Sequence, residues 1–194
     1  VPTHPRSLQP PDSAQCARRC RKSPLRLPEV YETMTKPLHL GLLGAMPEEI
    51  GTDLSHLEDL SWSDHGDLRI HRGSWGDTVR LSLAWSGWGK VSAARAATRL
   101  LASDPSIDLL VFTGVAGAAD SALHQWDVVL ADAVVQHDMD ARPLFPRFTL
   151  PALNQDRLRP QPAWFHWAKT ALLEAHDVGD LEGFERPSSG LIAT

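Results

Sequence analysis

The apolar positions of this chain fall into short runs and spaced stripes that alternate between strand and helix periods. Leu38 to Leu43 is an almost continuous apolar run, as in a strand covered on both faces, and Gly44 and Pro47 punctuate its end. From Pro47 to Leu57, the residues Ile50, Leu54 and Leu57 recur at spacings of four and three, which predicts a short helix. Leu68 to His71 and Thr78 to Ala84 alternate in β fashion around the turn-forming cluster Gly73-Ser74-Trp75-Gly76-Asp77, so they predict a paired hairpin. Lys90 to Ser103 is alanine-rich and predicts a helix lying close on a sheet through Ala93, Ala94, Ala97, Leu100 and Leu101. Asp104-Pro105 stops it, and Ile107 to Phe112 and Asp127 to Val135 read as further strands. Ala141 to Gln161 carries prolines and little periodicity, as expected of a long loop serving a site or an interface. Pro162 to His176 restores a helix with Trp164, Trp167, Ala168, Ala171 and Leu172 as its inner stripe, and Ser188 to Thr194 opens another strand.

Strands alternating with helices predict an α/β sheet, whose ligand crevice forms where the loops after the strands converge. Three such loops stand out: Ala45 to Glu49, Gly87 to Lys90 and Thr113 to Ala119. The first presents two carboxylates, Glu48 and Glu49, and these have two readings. Acidic residues behind a proline are ordinary helix initiation, complementing the helix dipole; they are also placed for chemistry at a strand end. The other two loops are glycine-rich but match neither dinucleotide- nor nucleotide-phosphate-binding patterns, and they read equally as tight strand-to-helix turns. His137, Asp138 and Asp140 are metal-ligand types, yet the remaining histidines are scattered, which favours hydrogen-bonded loop residues and no metal or cofactor. Neither Ser86 nor Ser121 stands in the Gly-x-Ser-x-Gly setting of a serine hydrolase.

Composition narrows the class. In 194 residues, 42% are hydrophobic, enough for a buried core. The formal charge of −5 gives no reason to expect nucleic acid as partner, and no apolar run is long enough to span a bilayer. Residues 1–33 differ from the rest, with six Lys or Arg against three Asp or Glu, six prolines and no sustained apolar period. They read as a disordered extension, translated from upstream of a natural start at Met34, with residues 34–194 forming the folded domain. Cys16 and Cys20 are the only cysteines, too few for a zinc site and expected to be inert thiols; a cysteine-free domain suits a reducing, cytoplasmic compartment.

Taken in order, Leu40-Gly41-Leu42-Leu43-Gly44-Ala45-Met46-Pro47-Glu48-Glu49, Ser86-Gly87-Trp88-Gly89-Lys90-Val91, Thr113-Gly114-Val115-Ala116-Gly117, Ala133-Val134-Val135-Gln136-His137-Asp138-Met139-Asp140 and Gly190-Leu191-Ile192-Ala193 resemble the bacterial methylthioadenosine/S-adenosylhomocysteine nucleosidases. The resemblance implies a three-layer α/β/α nucleoside phosphorylase-like fold with a central mixed sheet, a homodimer when full length, a small nucleoside substrate and hydrolysis of its N-glycosidic bond to release adenine. It places Glu49 on the water-activating glutamate, Met46 and Trp88 in the sugar and 5′-thio pocket, Val115, Ala116 and Gly117 around base and ribose, and Ala141 in the pocket wall. Val115 stands where many relatives have serine, and Trp88 where they have a smaller aliphatic residue. The family's Glu-Met-Glu stretch and the aspartate that protonates the base fall past Thr194, so the sequence reads as an incomplete and by itself inactive piece. Two other readings stand beside it: a hydrolase of another purine nucleoside such as futalosine, and a non-catalytic nucleoside-binding or dimerising remnant.

Overall fold

A computed structural model describes residues 36–194 of the chain. The extension, with Cys16 and Cys20, lies outside the described residues, as does Met34. The described part divides into two compact units, residues 36–117 and 118–194.

In residues 36–117 the run Leu38–Gly44 forms β1, an inner strand of a five-stranded mixed sheet. The others are β2 (Glu58–His65), β3 (Leu68–Trp75), β4 (Val79–Trp85) and β5 (Leu109–Phe112), in the order β2-β3-β4-β1-β5. β1 runs parallel to β4 and β5, whereas β2, β3 and β4 form an antiparallel meander. Flanked on both sides and covered on both faces, β1 has to be apolar almost throughout.

Each face has its own core. One gathers Leu43, Leu68, Ile70 and Ala84 beneath Ala96 and Leu100 of α2 (Lys90–Ser103). The other packs Leu83 with Leu54 and Leu57, and with Leu42, Ile50, Trp75, Leu81 and Trp85 around them. The inner face of α2 is therefore turned slightly from the stripe expected: Ala96 and Leu100 are fully buried and Ala97 packs against them, but Leu101 is 40% exposed. The alanines let the helix approach the sheet, and the stripe's phase is set by Leu100.

Two expectations are corrected. The helix after β1, α1, is only Pro47–Ile50. Gly51, at φ 96°, sends its N–H back to the Pro47 carbonyl at 2.7 Å and ends the helix in a conformation that side-chain-bearing residues rarely adopt. Leu54 and Leu57 still reach the core, but from the connection beyond it. The second correction is β2, which the hydrophobic pattern did not signal, and with it the extent of β3: the chain stays extended to Trp75 before turning at Gly76.

In residues 118–194, β6 (Val129–Val135) pairs in parallel with β7 (Ser188–Ala193), and α3 (Pro162–Asp177) lies in the sequence between them. The stripe predicted for α3 is half-buried rather than fully buried. Residues 136–161 are irregular and include the expected loop Ala141 to Gln161, anchored where Leu158 and Val134 exchange backbone hydrogen bonds at 2.8 and 3.0 Å.

Candidate active site

Because β1, β4 and β5 are mutually parallel, their carboxyl ends and the three loops singled out in the sequence lie along one edge of the sheet. Backbone hydrogen bonds join those loops: Ser86 N–H to the Gly44 carbonyl at 2.8 Å, Gly87 N–H to the Ala45 carbonyl at 3.1 Å and Thr113 N–H to the Leu43 carbonyl at 3.0 Å. The glycine-rich turns thus have a structural duty whatever else they do. Ser86 illustrates it: 3% exposed, its hydroxyl donates to the Gly87 carbonyl at 2.7 Å.

Glu49 is the centre of the convergence. Its Oε2 accepts from the amides of Ala45 at 2.6 Å and Met46 at 3.0 Å, and its Oε1 accepts from the Val115 amide at 3.2 Å. The Met46 bond is half of a capping box, so the helix-initiation reading is correct as far as it goes. The Val115 bond goes beyond capping, because it ties the carboxylate to the loop after β5. A carboxylate has about four acceptor positions, and three backbone donors leave one to receive an O–H from outside the protein. Glu48, by contrast, is exposed.

The approach of the β5 loop depends on Gly114. A Cβ there would stand 2.9 Å from Glu49 Oε1 and 3.2 Å from its Cδ, closer than real contacts allow. Glycine at this position lets the backbone close over the carboxylate.

Of the residues anticipated around it, Met46 and Val115 are joined to Glu49 by their amides. The Val115 side chain is 82% exposed and Trp88, on the β4 loop, is 77% exposed, so both face outward at this edge. Ala116 and Gly117 are exposed on the continuation of the β5 loop. Ala141 belongs to residues 118–194, where its carbonyl accepts from Leu144 and Phe145. Beside it Asp140 is held down to about 2, first by its hydrogen bonds with the Arg142 side chain and then by the Arg142 amide. His137 bonds the Thr194 carbonyl through both its amide and its ring. Sequence reasoning missed Arg95, which donates to the Ser86 carbonyl at 3.3 Å and pairs with Asp67, bracing the β4 loop from α2; no periodicity announces such a contact.

A mixed sheet with a core on each face, and a backbone-pinned carboxylate where three strand-end loops meet, defines an α/β protein whose candidate site lies at its strand ends. The model of the phosphorylase superfamily matches residues 39–194, and the chain belongs to that superfamily. Within it, the chain is 34% identical over 102 residues to the 5′-methylthioadenosine/S-adenosylhomocysteine nucleosidase of Staphylococcus haemolyticus, an alignment covering 53% of this chain and 44% of that protein. The chain thus matches about half the length of this curated relative. Among solved structures it is similar to the S-adenosylhomocysteine nucleosidase of Streptococcus pyogenes in complex with 5-methylthiotubericidin, with a TM-score of 0.67 and 29% identity over 84% of this chain and 64% of the other. It is also similar to the 5′-methylthioadenosine/S-adenosylhomocysteine nucleosidase of Neisseria meningitidis in complex with methylthio-immucillin-A, with a TM-score of 0.69 and 25% identity over 80% and 64%. These likenesses agree with the α/β nucleoside phosphorylase-like fold expected from the motifs.

Proposed function

We propose that the whole protein hydrolyses the N-glycosidic bond of 5′-methylthioadenosine or S-adenosylhomocysteine and releases adenine, acting in the cytoplasm as a homodimer. The observation that carries this reading is the Glu49 carboxylate, fixed by amides from two loops and left with one acceptor position. In this reading that position takes a proton from water as the water attacks C1′. Cleaving a ribosyl C–N bond builds oxocarbenium character on the sugar, so the reaction needs a base for water on one side and an acid for the departing base on the other. Glu49 supplies the first. The acid is assigned, by the resemblance, to an aspartate outside the described site.

By the resemblance, Met46 and Trp88 line the sugar and 5′-thio side, and Val115, Ala116 and Gly117 the base and ribose. An anionic side chain at the attacking position suits water and repels phosphate, which favours hydrolysis over phosphorolysis. Incubating the whole protein with methylthioadenosine, with and without inorganic phosphate, tests the reading. Adenine and free methylthioribose are expected in both, at equal rates. A requirement for phosphate with a sugar 1-phosphate as product overturns it, and cleavage of futalosine in preference to methylthioadenosine moves the assignment to that substrate.

A further inference from the structure

The sheet face beneath α2 changes character along its length. At the end nearer Glu49 it is apolar, with Leu43, Ala84 and Ile70 side by side on β1, β4 and β3. Toward the other end the registered positions become polar: Ser82 and Arg72 are paired, then Arg80 and Ser74, with His39 beside Arg80 and Ser61 beside Arg72. These six residues line a cavity of about 230 Å³ that opens to solvent, where Arg80 and Ser61 are exposed. His39 is 2% exposed and Ser82 is completely buried, and polar groups placed so deep in a sheet are costly unless they have partners.

The bonding shows which way the donors point. Ser106 gives its hydroxyl hydrogen to Asp104 Oδ1 at 2.6 Å, so at 2.9 Å it can only accept from His39 Nδ1–H. His39 Nε2 in the neutral ring then accepts from the Ser82 hydroxyl at 2.9 Å. Arg72 is held by Ser63 and Ser103 and lies 3.9 Å from Asp104, which balances its charge. Arg80 makes no hydrogen bond or ion pair among the described residues. Asp59 also borders the cavity, turned there at φ 52° where the pairing of β2 with β3 slips, but it forms no ion pair with either arginine.

We propose that this cavity binds a small tetrahedral oxyanion of the phosphate class, with Arg80 and Arg72 as its cationic contacts and Ser74, Ser61 and Ser82 as hydroxyl donors. Arginine forks and hydroxyls are the groups that recognise such oxygens. Binding is linked to a proton on His39. Once the ring is protonated, Nε2–H donates to Ser82, whose own hydrogen is released toward the cavity, and the added positive charge offsets Asp59. Burial is the largest influence against that proton; of the charged groups facing the ring, Asp104, 3.7 Å from Nε2, and Asp108 favour it, and Arg80 and Arg72 oppose it until the anion screens them. The site lies at the opposite ends of the parallel strands from Glu49 and does not depend on the proposed hydrolysis.

Calorimetric titration of the full chain with sulfate, whose charge is constant over the range, at about pH 5.5 and about pH 7.5 tests this. Saturable binding, tighter at the lower pH, is expected. Arg80→Gln removes no hydrogen bond of the described fold and should weaken binding about tenfold or more, and Ser74→Asp, beside Arg80 in the register, should abolish it, both with unchanged circular dichroism. Absence of saturable binding, or wild-type affinity in Arg80→Gln, overturns the site; affinity independent of pH overturns the link to His39. Inorganic phosphate and adenosine 5′-monophosphate as further titrants separate the sources of the anion: binding of phosphate alone assigns a free ion, and equal binding of both, lost together in Arg80→Gln, assigns a phosphoryl group of a larger ligand.

Discussion

The amide of Val115 donates to Glu49 Oε1 at 3.2 Å, joining residues 66 apart in sequence. The bond makes the position of one carboxylate depend on two strand-end loops, and it gives Gly114 a role that its lack of a side chain would otherwise hide. In Gly114→Ala the new Cβ meets the far end of the Glu49 side chain, which can swing away without unfolding the sheet. If Glu49 is the base of the proposed hydrolysis, adenine release by the whole protein should fall about 10²-fold through its misplacement, with the melting temperature nearly unchanged. Steady-state kinetics beside a thermal melt checks both halves.

Trp88 is 77% exposed and can be changed without cost to the core. If it borders the 5′ group, Trp88→Ile should alter the ratio of kcat/KM for methylthioadenosine and S-adenosylhomocysteine while leaving stability within about 0.5 kcal/mol. An unchanged ratio removes Trp88 from the pocket.

Leu100 is fully buried at the centre of the α2–sheet core. Leu100→Ala should lower unfolding stability by about 2–5 kcal/mol, read as a drop in the urea midpoint at constant slope. The same substitution at Leu101, 40% exposed, should cost far less.

Burial lowers the His39 pKa from its usual 6.5, against the attraction of Asp104. A histidine whose folded pKa lies below its unfolded pKa takes up its proton more readily when unfolded. Stability is therefore complete above about pH 6.5 and declines as pH falls from there through the folded value. Asp104 and Asp108 act in a lower window. Burial by itself would raise both, but Ser106 holds Asp104, and Lys36 and the His39 amide hold Asp108, below 3.8; their contribution is lost as pH falls through those depressed values. Urea midpoints measured across this range should show the upper step vanish in His39→Gln, and the lower one persist.

Much of the sheet was legible because its signals are local. The run Leu38 to Leu43 needs burial on both faces, and it became an inner strand. What escaped was decided by tertiary contacts. β2 is an edge strand whose Leu60 and Trp62 are 45% and 58% exposed, and its alternation is interrupted at Asp59, so it carries little hydrophobic signal. Leu54 and Leu57 repeat with helical spacing, yet the positive φ of Gly51 overrules that pattern and both leucines reach the core from a connection. At the site, the motif offered Glu48 and Glu49 alike and the resemblance chose Glu49, but neither showed that the β5 loop would bond it. That closure needs Gly114 and Val115 at a distance no window of sequence displays.

The most direct test is adenine release from methylthioadenosine by the whole protein carrying Glu49→Gln, which keeps the size of the side chain but not its capacity as a base. The rate should fall by about 10²–10⁴-fold with the fold intact by circular dichroism. Wild-type turnover in that variant would remove Glu49 from the attack of water and contradict the account at its centre.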